Sequence, residues 1–465
     1  MNILPQNYTF LLNKILKDSF KNSFNISTID NYVDMITKIE FASFAVIRQA
    51  LITYFESIDK SFKESTGRKK YYYTKGKKRR YLITIFGEIS FEREYYVSKN
   101  NSKNGFFYVD KVFSFMKNDT YDPIVKALLM DYKAHSTYQK AADDVSKLIS
   151  IRNDKKISIP RQTVFNVLKK FNISDIDYNS ISKPIKTDKL YILLDEKYVH
   201  LQDTDKDDIM VKHAVIYTGK TKVSKKRNKL DNKVIFSSIE GVEDTANKIN
   251  EIIYNQFRDY KHIIVSGDGA NWIKSVYNCI TTGPKIKKNF VLDEFHFTLA
   301  VNSITQDEDL KQIIYDYIYG NNKQDFNTLI DVIIDNNPDR KENIENYRQY
   351  INNNWKYILN IKKDYFIGCP MEGHISNDLA KVFTRDPKAY KLKNIPKHIK
   401  LRDLQLNSFD IFKVYLNKND YIITPKDINY YNTNHSSNIL LFEGKTTETS
   451  KAFEKIAHGI DTMFI

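Results

Sequence analysis

The strongest constraint on the fold is a succession of short apolar runs between residues 190 and 292, each bounded by polar or turn-forming residues. Leu190–Leu194, Val211–Tyr217 and Val234–Ile239 are short and rich in β-branched and aromatic residues, so they read as strands. A helix follows from about Thr245 to Phe257, with Asp244 as its expected cap. Ile263–Val265 is a fourth strand, a short helix spans Trp272 to Val276, and Phe290–Leu292 is a fifth strand. Strands alternating with helices in this way predict an α/β core over residues 188–298.

Three strands, helix, strand, helix, strand is the order of an RNase H-like α/β core, and acidic residues stand where its strands end. Asp195 ends Leu190–Leu194; Asp268 follows Ile263–Val265 and precedes Gly269; Glu372 opens a helix-like stretch further on. Carboxylates so placed can converge on Mg²⁺, which takes hard oxygen ligands and keeps several waters, so neither His nor Cys is needed. Two such ions about 3.5–4 Å apart activate the attacking oxygen, stabilise the leaving oxygen and neutralise the phosphorus centre of a phosphodiester. The expected site has Asp195 bridging two ions, Asp268 binding from the neighbouring strand and Glu372 completing it from a helix, with Mn²⁺ able to substitute. Each acid also has a plainer reading: Asp195 with Glu196 as strand-end acids, Asp268-Gly269 as a turn, Glu372 as a first-turn acid favoured by the helix dipole. Their order inside this strand pattern favours the metal site. Directly after the fifth strand comes Asp293-Glu-Phe-His296, whose spacing puts both polar ends on one helical face. There His296 can contact a scissile phosphate or position a carboxylate, and Asp293 competes with Asp268 as the metal ligand. Taken alone, that pair reads as a helix-start Asp with a satisfied His.

Residues 299–365 read as purely helical, with stripes such as Leu310, Ile313, Ile314, Tyr317 and Ile318, and they separate the core from its Glu-bearing end at 366–385. Upstream, residues 1–64 read as amphipathic helices, with Val33, Ile36, Phe44, Ile47, Leu51 and Phe55 at spacings of three and four. Residues 65–118 read as a basic β-hairpin region turning near Gly87. In it Lys75, Lys77, Lys78, Arg79 and Arg80 lie beside tyrosines, which suits phosphate contact and base stacking; a solvated charge run is the alternative. Residues 119–175 hold a helix over Pro123–Met130 and a helix-turn-helix-like pattern, with Ser158 as cap and Pro160 in the first turn. Arg161, Gln162 and Asn166 then lie outward as DNA-reading candidates while Val164, Val167 and Leu168 pack; a plain helical pair is the alternative. Residues 172–187 read as a linker, and 386–465 receive no role.

Lys and Arg number 72 against 57 Asp and Glu, a formal charge of +15, which favours an anionic partner such as nucleic acid, although AT-rich codon usage also inflates Lys. Two cysteines, Cys279 and Cys369, without a CxxC exclude a disulfide framework and a four-cysteine zinc ribbon and suit a reducing cytoplasm. No secretory signal pattern opens the chain, and the most apolar stretch, Phe41–Phe55, contains Arg48 and Gln49 and is too short to span a bilayer. The expectation is a soluble protein of the bacterial cytoplasm or nucleoid with no membrane partner.

Taken together, several segments resemble the ISLre-type insertion-sequence transposases, relatives of the Mutator-like DDE transposases. They are Lys75–Tyr96, Leu194-Asp-Glu-Lys-Tyr-Val-His200, Gly267-Asp-Gly-Ala-Asn-Trp272, Leu292-Asp-Glu-Phe-His296 and Gly368-Cys-Pro-Met-Glu-Gly-His-Ile-Ser376. The resemblance covers most of the chain, and the Glu-Gly-His-Ile-Ser piece is its most specific part. It implies an RNase H-like core with an all-helical insertion before the Glu, Asp195, Asp268 and Glu372 as the acidic triad, and Asp293 with His296 as the Asp-x-x-His motif. It also implies Mg²⁺-dependent cleavage at element ends and joining to target DNA, by subunits that oligomerise on DNA. The chain departs from the family after Arg385, where Asp386-Pro-Lys-Ala-Tyr390 replaces a small-residue and Trp-containing stretch. Two other readings remain: a non-catalytic DNA-binding protein derived from a transposase, and an RNase H-like nuclease without strand transfer.

Overall fold

The computed structural model describes residues 31–100, 105–113, 115–153, 155–173, 184–202, 207–225, 227–384 and 389–418. The expectations for residues 1–30, most of the 172–187 linker, the departure at Arg385 and Asp386, and the tail beyond 418 lie outside the described residues. The described residues form two compact units, one drawn from 31–129, 141–164 and 415–418, the other from 130–140 and 165–414.

In the first unit, α1 (Tyr32–Glu64) is capped by Asn31, whose side chain accepts from the Asp34 N–H. A short α2 (Thr66–Tyr71) leads into β1 (Tyr72–Thr84), which pairs antiparallel with β2 (Gly87–Ser98); β3 (Gly105–Phe107) adds to β2 and continues into α3 (Tyr108–Val112). The β1–β2 turn requires Gly87, whose φ of +112° is left-handed and whose Cβ would lie 2.7 Å from Asn153 Oδ1. Phe55 of α1, Leu82, Ile89 and Phe91 of the hairpin, and Val109 make the core. Three helices follow in the chain, each with residues in both units: α4 (Pro123–Lys133), α5 (Tyr138–Ser150) and α6 (Arg161–Lys170). The last begins after Pro160, so Ser158 lies outside it and is not its cap. Arg161, Gln162 and Asn166 are exposed, while Val164, Val167 and Leu168 are buried.

The second unit is a mixed α/β sheet with a helical part. Its strands are β5 (Lys189–Gln202), β6 (Asp208–Tyr217), β9 (Val234–Ser238), β11 (His262–Gly267) and β12 (Lys287–Leu292), in the order β12-β11-β5-β6-β9. β12, β11 and β5 run parallel, and β6 is antiparallel to both β5 and β9. Leu190–Leu194 are all buried; since successive side chains point to opposite faces, both faces of β5 are covered there. Between the strands lie β4 (Ile185–Lys186), which pairs with β10 (Phe257–Arg258), and a hairpin of β7 (Gly219–Ser224) and β8 (Arg227–Asp231) that the apolar pattern does not announce. α7 (Val242–Gln256) starts earlier than the apolar period suggests: Gly241 is the N-cap position, and Asp244 lies in the first turn instead of capping it. α8 (Asn271–Cys279) joins β11 to β12.

A helical block follows: α9 (Glu294–Ile304), α10 (Glu308–Tyr319), α11 (Lys323–Asp335) and α12 (Lys341–Ile358). The chain then returns to the sheet through α13 (Met371–His374), a π-helical turn over Ile375–Ala380, α14 (Lys381–Phe383), β13 (Tyr390–Lys391), which pairs with β5, and α15 (Ile395–Leu406). Leu379, Val382, Phe383, Ile395 and Ile399 of this return pack on Val199 of β5 and Val211 of β6. No helix among the described residues is long and apolar enough to cross a membrane.

Candidate active site

Strand register brings acids together. Leu193 of β5 stands opposite Ser266 of β11, and Gly267 of β11 opposite Leu292 of β12. Asp195 and Asp268 therefore both lie two residues beyond one matched pair, and Asp293 one residue beyond the next. The three acids line up at one level across three adjacent parallel strands, about 4.8 Å from strand to strand, Asp268 and Asp293 just past the ends of β11 and β12 and Asp195 within β5. Asp195 does not terminate its strand as the apolar run suggests: β5 continues to Gln202, paired on its other side with β6, where Asp195 faces His213. It stands where the parallel neighbour has stopped, so its side chain is only half-buried.

Charge confirms the closeness of the group. Burial pushes the Asp195 carboxyl up to about 7, the charges of Asp268 and Glu196 add to the rise, and His296 opposes it. Asp195 Oδ1 accepts from the Glu196 N–H at 2.7 Å, and Glu196 Oε2 accepts from Trp272 Nε1 of α8 at 2.7 Å. Asp268 Oδ1 accepts from the Ala270 N–H at 2.8 Å in a tight turn, and the Asp268 carbonyl accepts from the Tyr350 hydroxyl of α12 at 2.7 Å. Gly269 has φ +84° there, and the buried Asn354 side chain lies against it. Asp293 is 3% exposed; its Oδ1 caps α9 through the Phe295 N–H, and its Oδ2 meets His296 Nδ1 at 2.7 Å. That hydrogen bond raises the His296 pKa against the effect of burial, with further help from the charges of Asp293, Asp268 and Asp195.

Glu372 is exposed in the first turn of α13. The turn before it is held by Lys220 of β7, whose Nζ donates to the Ile367 and Gly368 carbonyls at 2.6 and 2.9 Å. Cys369 lies against Asp293; burial and that carboxylate push its thiol well up, which makes it an inert neighbour and not a nucleophile. The structure thus brings Asp195, Asp268, Asp293 and His296 together and leaves Glu372 outside the row. Among the described residues no group of three or more His, Cys, Asp or Glu is arranged to hold a metal ion. The Asp195–Asp268 pair itself suits a hard divalent cation, because it offers carboxylate oxygens whose mutual repulsion a cation would relieve.

Several residues of the site have no sequence signal of their own. Lys220 and Tyr350 touch it from distant elements, and only the spacing of Tyr350 and Asn354 on one face of α12 hints at a polar contact. Lys274 of α8 interacts with Asp268, and it shares the Tyr357 ring with the exposed Lys356.

In the first unit, Lys75, Lys77, Lys78 and Arg79 are exposed along β1. Arg80 is not: it is 4% exposed, pairs with Asp110 at 3.0 Å and donates to the Met116 and Asp119 carbonyls. It is a structural residue of the hairpin and leaves the set of outward cations, because strand alternation turns it inward. The charge run is also less unbalanced than its sequence suggests, since Glu92 on β2 lies 3.3 Å from Lys77 and 3.6 Å from Arg79.

A mixed α/β sheet carrying aligned acids defines the class of protein. Residues 20–420 match the Uncharacterised protein family (UPF0236), and the chain belongs to that family. One UPF0236 protein of Caldanaerobacter subterraneus subsp. tengcongensis is 27% identical over 91% of this chain and 88% of its own length, and its name joins eleven loci of one genome. Another from the same bacterium, joining four loci, is 27% identical over 86% of this chain and 84% of its own length. The Drosophila P element transposase strand transfer complex aligns with 73% of this chain and 93% of its own at 12% identity and a TM-score of 0.25, too low to speak for a shared fold.

Proposed function

We propose that the chain is a DDE-type transposase of the ISLre kind, with an RNase H-like core, which cleaves DNA at insertion-sequence ends and joins them to target DNA. The observation that carries the reading is the row of Asp195, Asp268 and Asp293 across three adjacent parallel strands, with the Asp195 carboxyl raised by burial and further by the charges of Asp268 and Glu196. Repetition of related genes at many loci of one genome supports it, since mobile elements multiply in that way. Asp195, Asp268 and Glu372 would hold Mg²⁺, with Asp293 as the alternative to Asp268. Bound there, the ions would supply Lewis-acid stabilisation of a phosphodiester under attack. In the chain's own chemistry, His296 offers a proton-bearing nitrogen to a phosphate oxygen, Asp293 orients it, and Lys274 and Lys356 hold the DNA backbone beside Asp268. The exposed Lys75, Lys77, Lys78 and Arg79, and Arg161 with Gln162, are the proposed DNA contacts of the N-terminal region.

The exposed position of Glu372 favours a second reading, a DNA-binding protein derived from a transposase without its chemistry. Incubating the full chain with DNA bearing the ends of its parent element, with Mg²⁺ or Mn²⁺, separates the two. Metal-dependent cleavage and joining, lost in Asp195→Ala, Asp268→Ala and Glu372→Ala, is the expected result. Unchanged activity in any one removes that residue, and binding without metal-dependent chemistry establishes the second reading.

A further inference from the structure

On the side of β5 away from Asp268, a buried polar chain crosses the sheet and ends beside Glu372. Asp195, His213 and Ser237 are direct cross-strand partners on β5, β6 and β9, so their side chains share one face. His213 Nδ1 meets Ser237 Oγ at 2.9 Å, and His213 Nε2 meets Asp378 Oδ2 at 3.4 Å. The same Asp378 oxygen meets His374 Nδ1 at 2.8 Å, and His374 is two residues beyond Glu372. At the other end, Ser237 Oγ and N–H meet Asp403 of α15 at 2.8 and 2.7 Å. Arg402 donates to the Asp378 and Asn377 carbonyls at 2.8 and 2.7 Å, which fixes the π-helical turn from the far side.

Burial raises the Asp403 carboxyl to about 8 against its hydrogen bonds from Ser237, and burial lowers His213. Ser237 donates both its hydroxyl and its N–H to the Asp403 carboxyl, while His213 bridges Ser237 Oγ and Asp378 Oδ2 through its two ring nitrogens. Burial would raise Asp378 too, but the hydrogen bonds from His213 and His374 reverse this and hold it ionised. All four groups are buried, and an internal network satisfied end to end is rigid in a way that apolar packing of a short helical turn is not.

We propose that Asp378 is a positioning residue for Glu372: gripped by His213, His374 and Arg402, it fixes the turn that carries Glu372 on β6 at the level of Asp195. The role given to Glu372 rests on the function proposed above; the fixing of the turn does not. Neither Asp378 nor His213 touches DNA or metal in this scheme.

Hydrogen exchange on the full-length chain tests it. Asp378→Ala should speed exchange of amides 371–384 about tenfold or more while β11 and α8 exchange as in the parent. Unchanged exchange at 371–384 overturns the proposal whatever the activity. Should Asp378→Ala fail to fold, His213→Gln is read the same way. Asp378→Asn keeps an acceptor oxygen and should restore part of the protection. On element-end DNA with Mg²⁺, Asp378→Ala should lower kcat about tenfold or more at unchanged KM, because the group displaced does not bind DNA. A raised KM at unchanged kcat overturns the link to Glu372. A loosened turn in a parent protein without metal-dependent activity upholds the fixing of the turn and defeats the transposase reading alone.

Discussion

Gly269→Ala tests how tightly the Asp268 turn is held between β11 and the helical block. Gly269 has φ +84°, a left-handed conformation that costs a residue with a side chain about 1–2 kcal/mol. The added methyl would also lie 2.6 Å from Asn354 Oδ1 and 3.0 Å from Leu292 Cδ1. Asn354 is 2% exposed and tied to the Tyr350 carbonyl at 2.9 Å, so it has little room to retreat, and overpacking of this kind costs about 1–3 kcal/mol. The expected loss is therefore about 2–5 kcal/mol, read as a fall in the denaturant midpoint at constant slope. Asn354→Ala in the Gly269→Ala background should recover the steric part and leave the backbone part, so a double-mutant cycle separates them. A loss below about 0.5 kcal/mol in the single variant would show that the turn relaxes freely and would refute the packing described here.

Three further outcomes follow from the geometry. The Asp195 carboxyl titrates near 7 in the folded chain against 3.8 ordinarily, so its contribution to stability is full below about pH 4 and is lost as pH rises through about 7. A cation that binds the ionised form should then bind about 25-fold more weakly near pH 5.5 than near pH 7.5, and equal thermal shifts with Mg²⁺ at the two pH values would contradict this. Arg80→Ala should cost about 2 kcal/mol or more by removing one of the two arginines paired with Asp110 and the donor to the Met116 and Asp119 carbonyls, whereas Lys78→Ala should stay within about 0.5 kcal/mol and flatten the salt dependence of DNA binding by about one unit; equal melting temperatures would refute the distinction. Tyr350→Phe removes one hydrogen bond to the Asp268 carbonyl, costing about 1 kcal/mol, and a variant as stable as the parent would show the contact to be idle.

The elements that repeat a local period were legible in the sequence, and the contacts that join them were not. The runs at Leu190–Leu194, Val211–Tyr217 and Val234–Ile239, and the Asp-x-x-His spacing of Asp293 and His296, declare themselves because alternation and helical period are local. The length of β5 was hidden because its second half, from Asp195 to Gln202, is polar on the side that leaves β11. Arg80 looks like its neighbours in a basic run, and the partners it meets on the inward face, Asp110, Met116 and Asp119, lie thirty or more residues on. Lys220, Tyr350 and Asp378 meet the site across long sequence separations that no short window contains.

The mixed pairing of β5 also has a consequence for the order in which the chain acquires its acids. Its antiparallel side, β5 with β6 and β9, closes through local connections as soon as residue 238 has emerged, whereas its parallel side must wait for α7 and the strand that follows it. During synthesis Asp195 and His213 are seated first, Asp268 and Asp293 arrive after two helical crossovers, and Glu372 comes last, behind the whole helical block. A nascent chain stalled before residue 371 thus owns five strands of the sheet, still without β13, and an unfinished centre.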